Sequence, residues 1–540
     1  MLTPFCYVIE GKLMRNPGQR IGLEVLLIFT MFLSVYLITA SDAGWHNDGL
    51  VRMYVARNLL EHGDPILREA EQDQVDQLWA VTGREGRLYS FYGIGHSLLI
   101  IPTQIATDLT RDIFGSRPNQ YVPEMDRFWL GMIAPVMSAM VGAAVYSVIR
   151  QMDFSRSSAL CTAAVIGLGT LIWPHARDLH DNLVETAFVM VSLALIVTYN
   201  RTEQVPFLVG AGALFGFAFI TRTSAVFAFP GLMLVLLMPP LHDRGFEPRL
   251  LLRIVWFGLG SLIFAWIYPA YNFWRFGSPF ETGYTEMFAR DSPAPGQPLL
   301  PGLATWLISP WHGLLVFTPL VLLIPVLAKR FMAHRMGKWV LLGGGFALAS
   351  VTLFYSTYRG LGKWAYGPGY LMIGIPFFLL GIAPLFEYWR VLPSWQRLSG
   401  VLLTSLNILV SLPGVFLPVA YAALLIGKLV PVKGGDDLSW IPASHSPIVL
   451  MGRQSLRALG NVFSGRAAAL ETIPDPSTWL DTYVGLNAPD WWWLLAYYRG
   501  FEPALIIPVI LLGVAGAALY GRHQLGGQVM LGVRDMEPID

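Results

Sequence analysis

The chain is poor in charge, almost without cysteine and free of internal repetition, and each shortage removes a class of protein. Only 14% of its 540 residues are charged and the formal net charge is +1, with no basic stripe of the kind a nucleic-acid surface needs. Two cysteines, Cys6 and Cys161, lie far apart, which excludes a disulfide framework and a thiolate metal site. No fixed-period repeat, low-complexity tract or inverted symmetry of the transporter kind breaks the chain into like units.

What remains is apolar. Hydrophobic residues make up 54% and mean hydropathy is +0.51, outside the range of soluble domains. Runs long enough to cross hydrocarbon as helices recur from Ile21 to Tyr520. They predict an all-α polytopic membrane protein of about twelve spans. Those spans are Ile21–Ala40, Phe128–Ile149, Ala159–Trp173, Leu183–Tyr199, Val205–Ile220, Ala225–Met238, Ile254–Tyr271, Leu314–Ala328, Trp339–Tyr355, Tyr366–Phe386, Gly400–Ile426 and Ala504–Tyr520. Residues 1–427 form the transmembrane module, with a first outer loop at 41–127. A second outer loop covers 428–501, and 502–540 hold the last span and a tail.

Sidedness follows from lysine and arginine. If both termini are cytoplasmic, the inner segments carry Lys12, Arg15, Arg20, Arg150, Arg156, Arg201, Arg244, Arg249, Arg253, the cluster Lys329–Lys338, Arg390, Arg397, Arg522 and Arg534. The short outer loops then hold only Arg177, Arg222, Arg275, Arg290, Arg359 and Lys363. Letting Gly93–Leu109 cross would invert this bias, so that run is expected as a helix on the outer surface. Trp491, Trp492, Trp493, Tyr497 and Tyr498 read as an interfacial aromatic belt.

Polar residues gather where the chain leaves the outer face. In Ser41–Leu60 the order Asn47-Asp48-Gly49 opens a helix to about Glu61. Its first-turn carboxylate satisfies the helix dipole, and Arg52 at i+4 favours ionisation. A capped juxtamembrane helix explains this; so does a base that accepts a proton from an attacking hydroxyl. Asp42 is the neighbouring competitor. A second cluster, His175 to Asn182, holds Arg177, Asp178, His180 and Asp181 before a span in which Glu185 lies one turn deep; Asp178 and Arg177 with Asp181, and Asp181 with Glu185, stand at spacings that share a helix face. Local ion pairing, or a metal on His175, His180 and an acid, are the competing readings, though the spacing matches no ligand signature. Third are the outer cations Arg222, Arg359 and Lys363, and the loop bearing Arg275, Glu281, Glu286 and Arg290. Such cations snorkel to headgroups or clamp a phosphate.

These segments resemble, in order, the GT-C class of membrane glycosyltransferases. The similarity is to bacterial relatives of the protein O-mannosyltransferases and the lipid A aminoarabinose transferase. It is carried by HNDGLVRMYVARNLLEHGDPI, RLYSFYGIGHSLLIIP, Ala176-Arg177-x-x-x-Asp181, TRTSAVFAFP, YNFWRFGSPFETGY and KWAYGPGYLMIGIP, and covers about Ile21 to Phe386. The resemblance implies surface helices after the first span, an outward-facing cavity, Asp48 as base and Asp181 as a second motif acid. It implies a polyprenyl-phosphate-linked sugar as donor, with Arg222, Arg359 and Lys363 on its phosphate. Tyr92, His96, Arg52, Arg177, Asp178, His180, Glu185 and Glu281 would support the acids or face the acceptor. Relatives often carry arginine in the segment that here reads Gly367-Pro368-Gly369-Tyr370, so Gly369 is a departure, and Arg359 or Lys363 stands in its place.

The expectation is an inverting glycosyltransferase of the bacterial inner membrane acting on a glycan, lipid or protein hydroxyl at the periplasmic side. Membrane lipids are its surroundings, nucleic acid is no partner, no cofactor is required, and a divalent ion is left open. A lipid-linked sugar transporter would place ionisable groups near the bilayer midplane, and an oligosaccharide ligase would use a diphosphate-linked donor.

Overall fold

A run of twenty apolar residues must satisfy its own backbone where water is absent, and the helix is the one open-ended way to do so. The computed structural model describes residues 17–41, 47–68, 80–114, 128–177, 179–290, 294–359, 366–417, 442–464, 488–498 and 501–534. Eight of its helical stretches are long and apolar enough to cross a membrane: Arg20–Thr39, Phe128–Gln151, Asp181–Thr202, Thr223–Asp243, Arg249–Phe276, Gly337–Tyr355, Ser394–Phe416 and Glu502–Leu525. The chain is a polytopic, predominantly helical membrane protein.

The other four expected spans are shorter or broken. Val205–Thr221 has 17 residues, and Arg156–Gly169 stops before the short helix Ile172–His175. The run from Leu314 divides into Leu314–Phe317, Pro319–Leu323 and Ile324–Met332. The run after Tyr366 divides into Gly369–Leu371, Ile375–Leu379, Leu380–Ile382 and Ala383–Glu387. Pro319, Pro325, Pro376 and Pro384 mark the starts of these pieces, since proline offers no amide donor and favours a first helical turn. The span expected to reach Ile426 ends as a helix at Phe416.

We label the elements that carry the argument α1 (Pro17–Thr39), α2 (Asn47–Glu61), α3 (Ile94–Phe114), α4 (Ile133–Gln151), α5 (Arg156–Gly169), α6 (Asp181–Thr202), α7 (Val205–Thr221), α8 (Gly337–Tyr355), α9 (Ser394–Phe416) and α10 (Ile507–Arg534). α1 packs on α4 and α10, while α6 is wrapped by α4 and α7. α3, the run expected on the surface, is not among the apolar crossing helices and packs on α2 and α7.

The larger of two departures from an all-α fold follows α2. Strands β1 (Ile66–Leu67), β2 (Ala80–Thr82) and β3 (Leu88–Ser90) form a small antiparallel sheet in the order β1-β3-β2. Tyr89 of β3 stands opposite both Ile66 and Val81. Buried Arg275 fastens this sheet: its Nη1 donates to the Ser90 carbonyl and, at 3.2 Å, to the Tyr92 carbonyl, while Nη2 donates to Asn272 at 2.7 Å. Glu286 accepts from the Thr82 amide at 2.9 Å.

Glycine sets how closely α3 meets α7. A Cβ on Gly93 would lie 2.4 Å from the Ile220 carbonyl oxygen, and one on Gly95 2.4 Å from the Thr221 hydroxyl. Only backbone without a side chain fits there. Tyr92 and His96, which flank the two glycines, meet Arg52.

Candidate active site

Four elements deliver charge to one end of the bundle. α2 begins next to the end of α1 and carries Asp48 in its first turn and Arg52 one turn on. α6 starts at Asp181, so Asp181 and Glu185 fall on one face, a turn apart. Arg222 follows the last residue of α7 in extended backbone (φ −153°, ψ 128°), which turns its side chain back across α6. Tyr92 and His96 enter from the start of α3.

Asp181 is the hub. Its Oδ2 accepts from Arg52 Nη2 and its Oδ1 from Arg222 Nη1, each at 2.9 Å. The Arg222 guanidinium also donates to Asn182 Oδ1 and, at 3.0 Å, to the Tyr355 hydroxyl. It lies 3.8 Å from Glu185 and 4.6 Å above the Tyr370 ring. Glu185 in turn accepts from the Ser224 hydroxyl at 2.8 Å. Two carboxylates thus face two guanidiniums in a site where Arg52, Glu185 and Asp181 are all buried. Charges removed from water need such pairing.

Asp48 differs. It keeps partial exposure, makes no ion pair among the described residues and hydrogen-bonds the Tyr92 side chain. Burial, and next the Asp48 charge, hold that phenol protonated well above the usual tyrosine range. The Arg52 guanidinium stacks 4.0 Å from the Tyr92 ring centroid. Burial alone would lower the Arg52 pKa, but Asp181 and then Asp48 raise it. Arg52 Nη1 is buried and makes no hydrogen bond among the described residues. His96 is fully buried, and its pKa is lowered to about 3 by burial and then by the Arg52 charge, against a smaller pull from Asp181.

Several expected residues stand elsewhere. Arg177 does not share a helix face with Asp181, because it sits in the turn before α6 begins. It donates instead to the Thr39 carbonyl at 2.8 Å, the Gly414 carbonyl at 3.1 Å and Asp490. Glu281 folds onto its own loop, accepting from the Thr282 and Gly283 amides at 2.9 and 2.8 Å. His180 immediately precedes α6 without capping it. His175 and His180 have ring centroids 5.9 Å apart, and Nδ1 of His175 lies 2.8 Å from the Leu171 carbonyl. Among the described residues no three His, Cys, Asp or Glu side chains form a metal-holding group. Asp42, Asp178, Lys363 and the side chains of Asn47, Arg290 and Arg359 fall outside the described residues.

The tryptophans expected in an aromatic belt also hold the fold together. The indole nitrogens of Trp491, Trp492 and Trp493 donate to the carbonyls of Val415, Leu37 and Ile38 at 3.2, 2.7 and 2.7 Å. These tryptophans fasten a late segment to the ends of α1 and α9, since an indole N–H surrounded by protein finds its acceptor there. Sequence reasoning missed Asn182, Ser224, Tyr355, Tyr370 and Asp490. Asn182, Ser224 and Tyr370 lay inside segments already singled out.

Fold and cluster define a polytopic helical membrane protein with a paired-charge site at one end of its bundle. No family model matches the sequence, and no curated protein does. Among solved structures the chain is similar to ArnT from Cupriavidus metallidurans in the apo state, at 16% identity and TM-score 0.44, covering 92% of this chain and 75% of that one. It is similar to the same protein bound to undecaprenyl phosphate, at 17% identity and TM-score 0.43, covering 95% and 79%. A further likeness is to the archaeal oligosaccharyltransferase AglB from Archaeoglobus fulgidus in complex with an inhibitory peptide and a dolichol-phosphate, at 13% identity and TM-score 0.34, covering 92% and 54%.

Proposed function

We propose that the chain is an inverting glycosyltransferase that moves a sugar from a polyprenyl phosphate to an acceptor hydroxyl at the periplasmic face of a bacterial inner membrane. The acceptor oxygen attacks the anomeric carbon and its proton passes to Asp48. The bond from that carbon to the phosphate oxygen breaks, and the electron pair leaves with polyprenyl phosphate. One base and one stabilised leaving group suffice for inversion, without a protein nucleophile.

The observation that supports this division of labour is the contrast between the two aspartates. Asp181 is committed to Arg52 and Arg222 at 2.9 Å each. Asp48 keeps partial exposure and a phenol for partner. A carboxylate between two guanidiniums is a poor proton acceptor, which leaves Asp48, outside that pairing, as the base. Asp181 therefore orients the two arginines, and Arg222, with Arg359 and Lys363 as further candidates, meets the phosphate. Arg52, Tyr92 and His96 border the acceptor side.

The test uses purified full-length protein, a radiolabelled polyprenyl-phosphate sugar and a membrane extract as acceptor source. Label should leave the donor lipid and appear in a new product in the wild type. In folded Asp48→Asn the rate should fall by about a hundredfold or more, the usual contribution of a positioned base. Labelled lipid that crosses vesicles uncleaved would indicate a transporter. Mass spectrometry of co-purified lipid separates a monophosphate from a diphosphate donor.

A further inference from the structure

At the end of the bundle opposite the candidate site, three arginines surround one carboxylate and a fourth stands behind them. Glu24, in the second turn of α1, is fully buried. Arg156 Nη2 lies 2.5 Å from its Oε1, Arg150 Nε 3.4 Å from its Oε2, and Arg20 Nε 3.9 Å from Oε1. The Tyr146 hydroxyl donates to Oε2 at 2.7 Å. Arg522 of α10 reaches the same Tyr146 hydroxyl at 3.4 Å and the Arg156 carbonyl at 2.6 Å.

Among the described residues the charges of this cluster do not balance. The side chains of Arg20, Arg150 and Arg156 are 19%, 19% and 23% exposed, so water screens them only in part. Arg150 spends Nη1 on the Phe154 carbonyl at 2.6 Å. Arg20 Nε and Nη2 are buried without a hydrogen-bond partner among the described residues. Unpaired guanidinium donors held out of water are costly, and like charges in one cluster repel. A second anion would relieve both.

The position says which anion. α1 runs its 23 residues from Pro17 to Thr39. Its start is therefore separated from the Asp48 end by about 30 Å of helix, one hydrocarbon thickness. Arg150 closes α4, Arg156 opens α5 and Arg20 opens the apolar stretch of α1. These residues lie at headgroup depth between helices, where the available anion is a lipid phosphate. Guanidinium forks match phosphate oxygens with paired hydrogen bonds.

We infer that Arg20, Arg150, Arg156 and Arg522 form a site for the phosphate of an anionic phospholipid in the leaflet opposite the candidate active site. Glu24 holds the arginines together and leaves them an excess of positive charge. This site stands independently of the glycosyl-transfer reading.

Native mass spectrometry of the full-length protein released from detergent tests it, with phosphatidylglycerol, phosphatidylcholine and inorganic phosphate as separate probes. Phosphatidylglycerol should be retained in preference to phosphatidylcholine, whose choline cancels the phosphate charge. Arg20→Gln should lower that retention by about tenfold, the loss expected from a charge-assisted hydrogen bond. Arg20→Lys should restore part of it. Glu24→Gln, if it folds, should strengthen retention by removing the competing carboxylate. Equal retention by wild type and Arg20→Gln, at unchanged melting temperature, overturns the site. So does binding of inorganic phosphate with no preference between the two lipids.

Discussion

Arg177 and Asp490 are 313 residues apart in the chain and form an ion pair whose two side chains are each only 1% exposed. Around them Arg177 holds the carbonyls of Thr39 and Gly414, and Asp490 accepts from Ser41. The pair therefore joins the end of α1, the end of α9 and a late segment. Removing one partner leaves a bare buried charge, at a cost of about 3–5 kcal/mol. Asp490→Asn and Arg177→Gln should each lower the melting temperature in detergent markedly. The double change Arg177→Met with Asp490→Leu should cost less than the sum of the two. Singles that melt like the wild type would remove this pair as the fastening.

The apolar spans were legible in the sequence because hydrocarbon imposes one rule on every backbone group. The placement of Asp48 and Asp181 at helix starts was legible for the same reason, since charge collects where apolar runs stop. What could not be read is which charge meets which. Arg52 was expected to act on Asp48 four residues away, yet its direct partner is Asp181, 129 residues on. Helix-face spacing holds only inside a helix, which is why Arg177 escaped it and Asp181 with Glu185 obeyed it. The tryptophans show the same limit: composition marks them as interfacial, but only the fold supplies the carbonyls of Leu37 and Ile38. Broken spans were hidden because neighbouring helices, not local sequence, decide whether a proline-bearing run can persist.

Tyr92 separates support of the base from support of the arginine. Its hydroxyl bonds Asp48 while its ring lies under Arg52. Tyr92→Phe keeps the ring and removes the hydroxyl. A hydrogen bond to a charged group contributes roughly 1.5–3 kcal/mol, so initial transfer rates should fall between about tenfold and a hundredfold. The melting temperature should barely move. An unchanged rate would detach Tyr92 from Asp48's role.

Arg222 should not tolerate lysine. Its guanidinium meets Asp181, Asn182, Tyr355 and, more distantly, Glu185 at once. An ammonium keeps the charge but cannot span that fan of acceptors. Arg222→Lys should raise the donor KM and lower kcat together, whereas a surface arginine would accept the change. Wild-type kinetics in that variant would dismiss Arg222 from the phosphate role.

Gly93→Ala tests whether the approach of α3 to α7 serves the site. The added methyl would meet the Ile220 carbonyl at 2.4 Å, and backbone yields poorly. Overpacking of this kind costs about 1–3 kcal/mol, and the helix must shift, taking Tyr92 and His96 with it. Transfer activity should therefore drop well beyond what the modest fall in melting temperature accounts for. Activity lost only in proportion to unfolded protein would make the contact structural alone.

His96 predicts a pH dependence of stability whose sign is fixed. The folded imidazole titrates at about 3, while the unfolded one titrates near 6.5. Between those values the unfolded chain binds the extra proton, so its contribution to stability rises with pH up to about 6.5 and is flat above. The slope in that window approaches 1.4 kcal/mol per pH unit for one proton, about the full linkage of a single site. Melting temperatures from pH 4 to 8 should show this acid loss in the wild type. His96→Met, an apolar side chain of similar reach, should flatten the curve between about pH 4 and 6.5 and leave it unchanged above. Because the imidazole stays neutral throughout the physiological range, transfer rates between pH 6 and 8 should carry no limb from His96. Parallel melting curves for the two proteins would show that the ring titrates alike in the folded and unfolded chains, and burial beside Arg52 would then not keep it neutral.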